Sequence, residues 1–268
     1  MKKPIRIGAL ISGTGSNLDA IVGACDAGKI NGRVVFAGAD NPGAKGLGKA
    51  KKANIPTFVV DYADIIRQFG AGTEQENEEK LPPDFDLDDI SRKQSIAPFF
   101  DTNRVHTFLK TRGIAEAALL EKMGPYPFDL LVLAGFMRNL TPYFIDRVNT
   151  DPAHPKIMNI HPALLPAFPG TDGYGDTFRY GCRIGGCTVH FVDYGEDSGP
   201  IIGQSCFPID DDDTIESVRK KGLEREWALY PECIRLFADN RLKTVQMTNT
   251  LKNGKIVQRT VVKIVRPS

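Results

Sequence analysis

An α/β fold with a doubly wound, mostly parallel sheet flanked by helices is predicted by three features of the chain. Short apolar runs alternate with helical patterns throughout the first half. The unbroken run Leu130-Leu131-Val132-Leu133-Ala134 is what a central strand, buried on both faces, requires. A small-residue turn, Ser12-Gly13-Thr14-Gly15-Ser16-Asn17, sits where a first strand would hand over to a first helix. Residues 5–11 are that strand, and residues 17–26 the helix, with Leu18, Ile21, Val22 and Cys25 on one face. Strands follow at 34–39 and 56–60, around a helix at 44–53. A helix at 112–123 carries Ile114, Ala117, Ala118 and Leu120 and leads into the central strand, and a further strand covers 157–161. Two more, at 187–192 and 201–207, flank the turn-rich residues 193–200, and a long helix spans 215–238.

Two segments stand outside this alternation. Residues 67–104 hold Glu74, Glu76, Glu78, Glu79, Asp84, Asp86, Asp88 and Asp89, with Pro82-Pro83 between the two acidic groups. So long a connection in a compact α/β unit reads as an insertion, partly mobile or with a short helix of its own. Residues 244–265 alternate apolar and polar around Lys252-Asn253-Gly254-Lys255, and Asn-Gly between two such runs is a strong hairpin signal. The expectation is one domain, residues 1–268, with an insertion at 67–104 and a C-terminal hairpin extension at 243–268.

Lys and Arg number 34 against 33 Asp and Glu, a formal charge of +1, which argues against nucleic acid as the main partner. No apolar run approaches the roughly 20 residues of a membrane-spanning helix. Met1-Lys2-Lys3-Pro4 leads directly into a strand pattern rather than a signal sequence. A soluble, cytoplasmic protein with no membrane partner is expected. Five scattered cysteines, Cys25, Cys182, Cys187, Cys206 and Cys233, fit reduced thiols. Cys187 and His190 lie three apart in a strand pattern and so face opposite sides, and no set of about four ligands with zinc spacing accompanies them. No metal is expected.

The most informative stretch is Asn159-Ile160-His161-Pro162-Ala163-Leu164-Leu165-Pro166, followed downstream by Asp197. Asn159 and His161 leave the same face of a strand, and Pro162 ends it, so the pair stands at the strand's carboxyl end. A neutral donor, an imidazole and a distant carboxylate suffice for acyl-type transfer without a metal. The competing reading is a hydrogen-bonded core Asn and a buried His beside a proline-rich turn. The small-residue turn at 12–17 would let backbone amides approach an anion at a helix N-terminus. It is not a P-loop, and Leu18 stands where a dinucleotide fingerprint needs its third glycine. Asp40 could mimic that fingerprint's ribose-binding acid, or serve as a turn residue ahead of Pro42-Gly43. Asp210-Asp211-Asp212-Asp213 reads as helix capping, with Asp213 and Glu216 in capping-box spacing. His106, His154 and His190 read as ordinary histidines and Trp227 as helix packing.

Six motifs, in register from about Ile5 to Leu242, together resemble the glycinamide ribonucleotide formyltransferases. They are Ile11 to Leu18, Leu133-Ala134-Gly135-Phe136-Met137-Arg138, Asn159 to Pro166, Val189-His190-Phe191-Val192 with Asp197-Ser198-Gly199-Pro200, Ala228-Leu229-Tyr230-Pro231, and Phe237 to Leu242. The resemblance implies a Rossmann-like formyltransferase fold. It also implies transfer of a formyl group from the co-substrate 10-formyltetrahydrofolate to the amine of glycinamide ribonucleotide, in purine biosynthesis. The matching positions make Asn159, His161 and Asp197 catalytic. Gly13, Thr14, Gly15, Ser16, Asn17 and Glu226 fall on the phosphate and ribose side, and Arg112, Met137, Arg138, Asn139, Leu140 and Asp193 on the folate side. A cis Leu165-Pro166 bond is implied as well. Asn159 and a cationic His161 would then bond the developing oxyanion, while Asp197 stabilises the imidazolium and helps move a proton.

The chain departs from the family pattern at Asp172, Tyr174 and Gly175, where a histidine and a His-Arg pair are usual, and at Ser198, where glycine is common. Leu223 stands where Lys or Gln is frequent, with Lys220, Lys221 or Arg225 as candidates to compensate. These departures leave a sister enzyme with an amino-sugar nucleotide acceptor as the alternative. A methionyl-tRNA enzyme is disfavoured, since only 268 − 242 = 26 residues follow Leu242. A nucleotide-binding Rossmann module is the reading from another class. Small-molecule partners and a monomer or homodimer are expected. The insertion is expected to flank or partly cover the folate entrance, with a solvated acidic loop as the competing reading.

Overall fold

The computed structural model describes residues 3–95 and 101–266. Residues 96–100 of the expected insertion, Met1 and Lys2, and the last two residues of the hairpin extension lie outside the described residues. Strands β1 (Ile5–Ile11), β2 (Gly32–Ala39), β3 (Thr57–Val59), β4 (Leu130–Leu133), β5 (Ile157–His161), β6 (Ile184–Phe191) and β7 (Ile201–Pro208) form one sheet. Their order is β3-β2-β1-β4-β5-β6-β7, parallel from β3 through β5 and antiparallel at β6 and β7. The helices are α1 (Ser16–Asp26), α2 (Gly46–Lys52), α3 (Tyr62–Ala71), α4 (Glu74–Glu79), α5 (Leu87–Lys93), α6 (Thr102–Met123), α7 (Pro142–Val148), α8 (Gly173–Arg179) and α9 (Ile215–Ala238). Strands β8 (Leu242–Thr250) and β9 (Ile256–Ile264) pair as the expected hairpin.

The chain builds outward from β1 through β2 and β3, then returns to lay β4 and β5 on the other side of β1. The order therefore reverses between β1 and β4, and a crevice opens at their carboxyl ends. Side chains alternate between two cores. Ile7, Ala9, Ile11, Leu130 and Val132 face Leu18 and Ile21 of α1, Leu47 of α2 and Ile234 of α9. Leu10, Leu131 and Leu133 face Leu119 and Met123 of α6 and Phe144 of α7. The continuous apolar run of β4 is thus divided evenly between the two faces.

Several boundaries differ from expectation for local reasons. The helix expected at 112–123 begins at Thr102, because its first half turns Val105, Phe108 and Leu109 toward the insertion rather than the sheet. The described part of the insertion carries α4 and α5, in keeping with an insertion that has helix of its own, and its acids do capping work. Asp86 accepts from the Asp89 amide, Asp101 from the Arg104 amide, and Thr73 and Glu76 form a capping box. The cap of α9 is Thr214 with Ser217, not Asp213 with Glu216; Asp213 instead accepts from Lys221 at 2.6 Å. Strand β6 starts at Ile184, disguised by Gly185-Gly186, where a Cβ on Gly185 would lie 2.6 Å from the Phe207 ring. Trp227 is 41 % exposed on the outer side of α9, outside the core.

The insertion is docked. The Phe85 ring lies over Gly113 of α6, where a Cβ would come within 2.2 Å of it. Asp84 pairs with Arg147 at 2.5 Å and Lys93 with Asp146 at 2.9 Å. The Ser95 amide donates to the Tyr194 carbonyl at 3.0 Å, so the insertion reaches the loop that leads to Asp197. Among the described residues no helix is long and apolar enough to cross a membrane.

Candidate active site

The crevice at the strand-order reversal is a cavity of about 360 Å³. Strand β5 delivers Asn159 and His161 to it, and Pro162 turns the chain away. Asp197 arrives from the 193–200 turn in a left-handed conformation, φ 50°. Its Oδ2 stands 3.1 Å from His161 Nδ1 and accepts the Gly170 amide at 2.9 Å. On the other side of the ring, His161 Nε2 lies 2.7 Å from the Phe168 carbonyl. An imidazole flanked by two acceptors satisfies both only when both nitrogens carry hydrogen. Burial opposes the charged ring, but the bond to Asp197, its charge and the Phe168 carbonyl outweigh that and raise the His161 pKa. Burial likewise opposes ionised Asp197, yet the bond and charge of His161 and the Gly170 amide hold it well below the usual carboxylate range. Geometry and charge thus favour an imidazolium facing a carboxylate.

His190 belongs to this cluster. It is the cross-strand partner of Asn159 on the antiparallel β6, and both are brought to one face. Its Nδ1 donates to the Phe191 carbonyl at 2.9 Å, which leaves Nε2 to accept from Asn159 Nδ2 at 3.2 Å. One Asn159 N–H is thereby fixed and the other remains for the cavity. The pairing of β5 with β6 was the signal that could have identified His190; its own spacing in the chain carried none.

The turn at 12–17 forms one wall. Gly15 has φ 71°, and a Cβ there would lie 2.7 Å from the Gly46 Cα, so the turn closes only on glycine. No side chain caps α1, leaving its first amides to face the cavity. Ser12 ties this turn to the next, accepting the Met137 amide at 2.8 Å. Of Asn17, Nδ2 donates to Glu226 at 2.6 Å while Oδ1 is buried with no partner. Leu223 and Glu226 close that end from α9. Lys221 is committed to Asp210 and Asp213, and neither Lys220 nor Arg225 lines the cavity.

Met137, Arg138, Asn139 and Leu140 line the opposite end with Val192 and Glu196. Arg138 pairs with the buried Asp40 at 2.5 Å, so Asp40 is an arginine partner rather than a ribose ligand. Arg112 and Asp193 do not line the cavity. The Arg112 guanidinium lies 5.1 Å from the centre of the Tyr62 ring, with Nε and Nη1 lacking a hydrogen-bond partner among the described residues. Asp193 accepts from the Gly195 amide and the Ser198 hydroxyl, organising the loop ahead of Asp197, which also accounts for Ser198. Asp172 pairs with Arg179 at 2.8 Å and Arg219 at 2.9 Å, a clamp between α8 and α9.

A profile of the formyl transferase family matches residues 5–234. This chain belongs to the formyl transferase family. Among relatives, the phosphoribosylglycinamide formyltransferase of Haemophilus influenzae is 32 % identical over 89 % of each chain. A trifunctional purine biosynthetic protein adenosine-3 from Chironomus tentans is 31 % identical, and the match spans 89 % of this chain but only 14 % of that protein. The crystal structure of glycinamide ribonucleotide transformylase 1 from Symbiobacterium toebii superimposes with a TM-score of 0.70 at 33 % identity, over 99 % of this chain and 96 % of the other. The fold expectation holds: the sheet is mostly parallel and flanked by helices, and the cis Leu165-Pro166 bond is present. Within this formyltransferase, the sequence-predicted residues meet in one cavity except Arg112 and Asp193. One further difference concerns His161: both its N–H groups are already bonded, so neither points free into the cavity.

Proposed function

We propose that this formyltransferase moves the formyl group of 10-formyltetrahydrofolate to the primary amine of glycinamide ribonucleotide, as a step of purine synthesis. The observation that carries the reading is the location of the Asn159–His161–Asp197 cluster, midway along a cavity with an anion-ready helix start at one end and an apolar slot at the other. At the first end, the amides of residues 13–17 would hold the nucleotide phosphate without a lysine, and Glu226 would take the ribose side. At the other, Met137, 56 % exposed, and Leu140 and Val192 form apolar walls, with Arg138 and Asn139 at the rim. A flat pterin fits such a slot, and Arg112 adds its charge from behind Tyr62. Asp193 contributes by shaping the loop.

Bound formyl folate supplies the carbon to be transferred. Asn159 donates its free N–H to the formyl oxygen as negative charge gathers there. His161 supplies a positive charge beside that oxygen, and a direct bond follows once the Phe168 carbonyl releases Nε2. Asp197 holds the imidazolium and relays through water the proton that the attacking amine loses, which passes to the folate nitrogen as its bond to the formyl carbon breaks and tetrahydrofolate departs. An amino-sugar nucleotide is the second reading. It rests on Asp172 and Tyr174, and Asp172 is accounted for by its two arginines. Purified protein is to be assayed with 10-formyltetrahydrofolate and either glycinamide ribonucleotide or a panel of amino-sugar nucleotides. Turnover of the ribonucleotide is expected, and turnover confined to a sugar would transfer the assignment to the second reading.

A further inference from the structure

Behind the acceptor end of the cavity lies a buried polar chain across three helices. Tyr174 of α8 donates its hydroxyl to Glu226 Oε1 at 2.8 Å, and Asn17 of α1 donates Nδ2 to Glu226 Oε2 at 2.6 Å. All three residues are at least nine-tenths buried: Tyr174 5 %, Glu226 5 % and Asn17 6 % exposed. Tyr174 fits because α9 carries a glycine opposite it. A Cβ on Gly222 would come within 2.1 Å of the ring Cζ and 2.5 Å of the hydroxyl. A glycine in a helix interior weakens the helix, and here it clears the seat for a phenol. A carboxylate only accepts, so Glu226 forces the Asn17 nitrogen inward. That leaves Asn17 Oδ1, buried and unpartnered, as an acceptor on a cavity-lining residue.

We propose that Tyr174, seated in the Gly222 notch, is a positioning residue for the amine substrate: it fixes Glu226, and Glu226 fixes Asn17 so that its unpartnered carbonyl oxygen is the acceptor for a ligand N–H or O–H. The proposal rests on the acceptor-side assignment of this end of the cavity made above. It names the chemistry that this oxygen reads, a donor-bearing group of the substrate, beside the phosphate that the 13–17 amides would hold. Burial raises the Glu226 pKa, and the bonds from Asn17 and Tyr174 oppose that rise. The other titratable groups around Glu226 are His161 from β5, Cys187 from β6, and Tyr230 on its own helix. None of these donates a hydrogen bond to its carboxylate among the described residues.

The test compares wild type with Tyr174→Phe and Gly222→Ala. Removing one charge-assisted bond should raise KM for glycinamide ribonucleotide about tenfold. KM for the formyl folate and kcat should stay within about twofold, since neither depends on this chain of bonds. Gly222→Ala should reproduce the KM effect by displacing the ring while retaining its hydroxyl, although Ala favours the helix. In the free protein, the carbon-detected titration of the Glu226 carboxyl, assigned with Glu226→Gln, should move up by about one pH unit in Tyr174→Phe. Unchanged KM and an unmoved titration, or equal losses in kcat and both KM values, would overturn the proposal. A wild type that does not turn over glycinamide ribonucleotide would instead overturn the functional reading, and the Glu226 titration then decides the role of Tyr174 by itself.

Discussion

His161 is held between a carboxylate and a carbonyl, and its pH behaviour follows. A pKa raised in the fold means that the stabilisation is complete below the ordinary histidine value and is lost as pH rises through the raised one. The depressed Asp197 works in the other direction, and its contribution fades as pH falls below the ordinary carboxylate range. Asp197→Asn removes the bond and charge that favour the imidazolium, so burial then dominates and the His161 pKa drops. The alkaline limb of the kcat–pH profile should shift toward lower pH, in step with the His161 ring titration followed by NMR. A limb that stays in place in Asp197→Asn would detach His161 from that ionisation. Asn159→Ala tests the oxyanion donor separately. It should lower kcat by about 10²–10³-fold while KM changes little. At this scale the sequence was informative where chemistry depends on spacing, as with Asn159 and His161. It was silent on His190, whose role comes from a strand paired to β5 in the opposite direction.

Among the elements, the clearest lesson concerns the acidic insertion. Its carboxylates fitted a solvated loop as well as a short helix, and the structure uses them at helix starts: Asp86 and Asp101 are N-caps, and Glu76 completes a capping box. Three of its apolar residues, Phe85, Leu87 and Ile90, dock against Val105, Phe108 and Leu109 of α6. That docking hid the first half of α6 from a search for residues facing the sheet. The strands of the sheet, by contrast, were legible because each carries its own apolar pattern. Phe85→Ala should cost about 2–3 kcal/mol, a half-buried ring lost against Gly113. Through the Ser95–Tyr194 bond the loosened insertion should also raise KM for the folate and leave that for the amine unchanged. Urea unfolding and the two KM values check this together, and an equal rise in both would argue that the insertion acts on stability alone.

For the whole molecule, the widest consequence of burial is a stability that declines toward alkaline pH. Glu116 of α6 is wholly buried between the sheet and α7, where it accepts the Thr141 amide at 2.8 Å and the Thr141 hydroxyl at 2.5 Å. Burial pushes its pKa from 4.5 up to about 8, against the opposing effects of the Thr141 bonds and the Arg112 charge. In the unfolded chain the same carboxyl ionises near the ordinary value. Between these two values the native state holds a proton that the unfolded state has released. The Glu116 contribution to stability therefore falls with rising pH across that window, by up to about 1.4 kcal/mol per unit, and levels off above it. Glu116→Gln has the same shape and a neutral amide, which can accept the Thr141 amide bond and donate to the Thr141 hydroxyl oxygen. Its stability carries no such slope, while every other titrating group contributes equally to both proteins. The difference between wild type and Glu116→Gln, measured by urea unfolding at pH 5 and pH 8, should therefore shift against the wild type by a few kcal/mol at the higher pH. Parallel stability curves would mean that Glu116 is ionised in the native core, held by Arg112 across the gap in which Arg112 Nε and Nη1 have no hydrogen-bond partner.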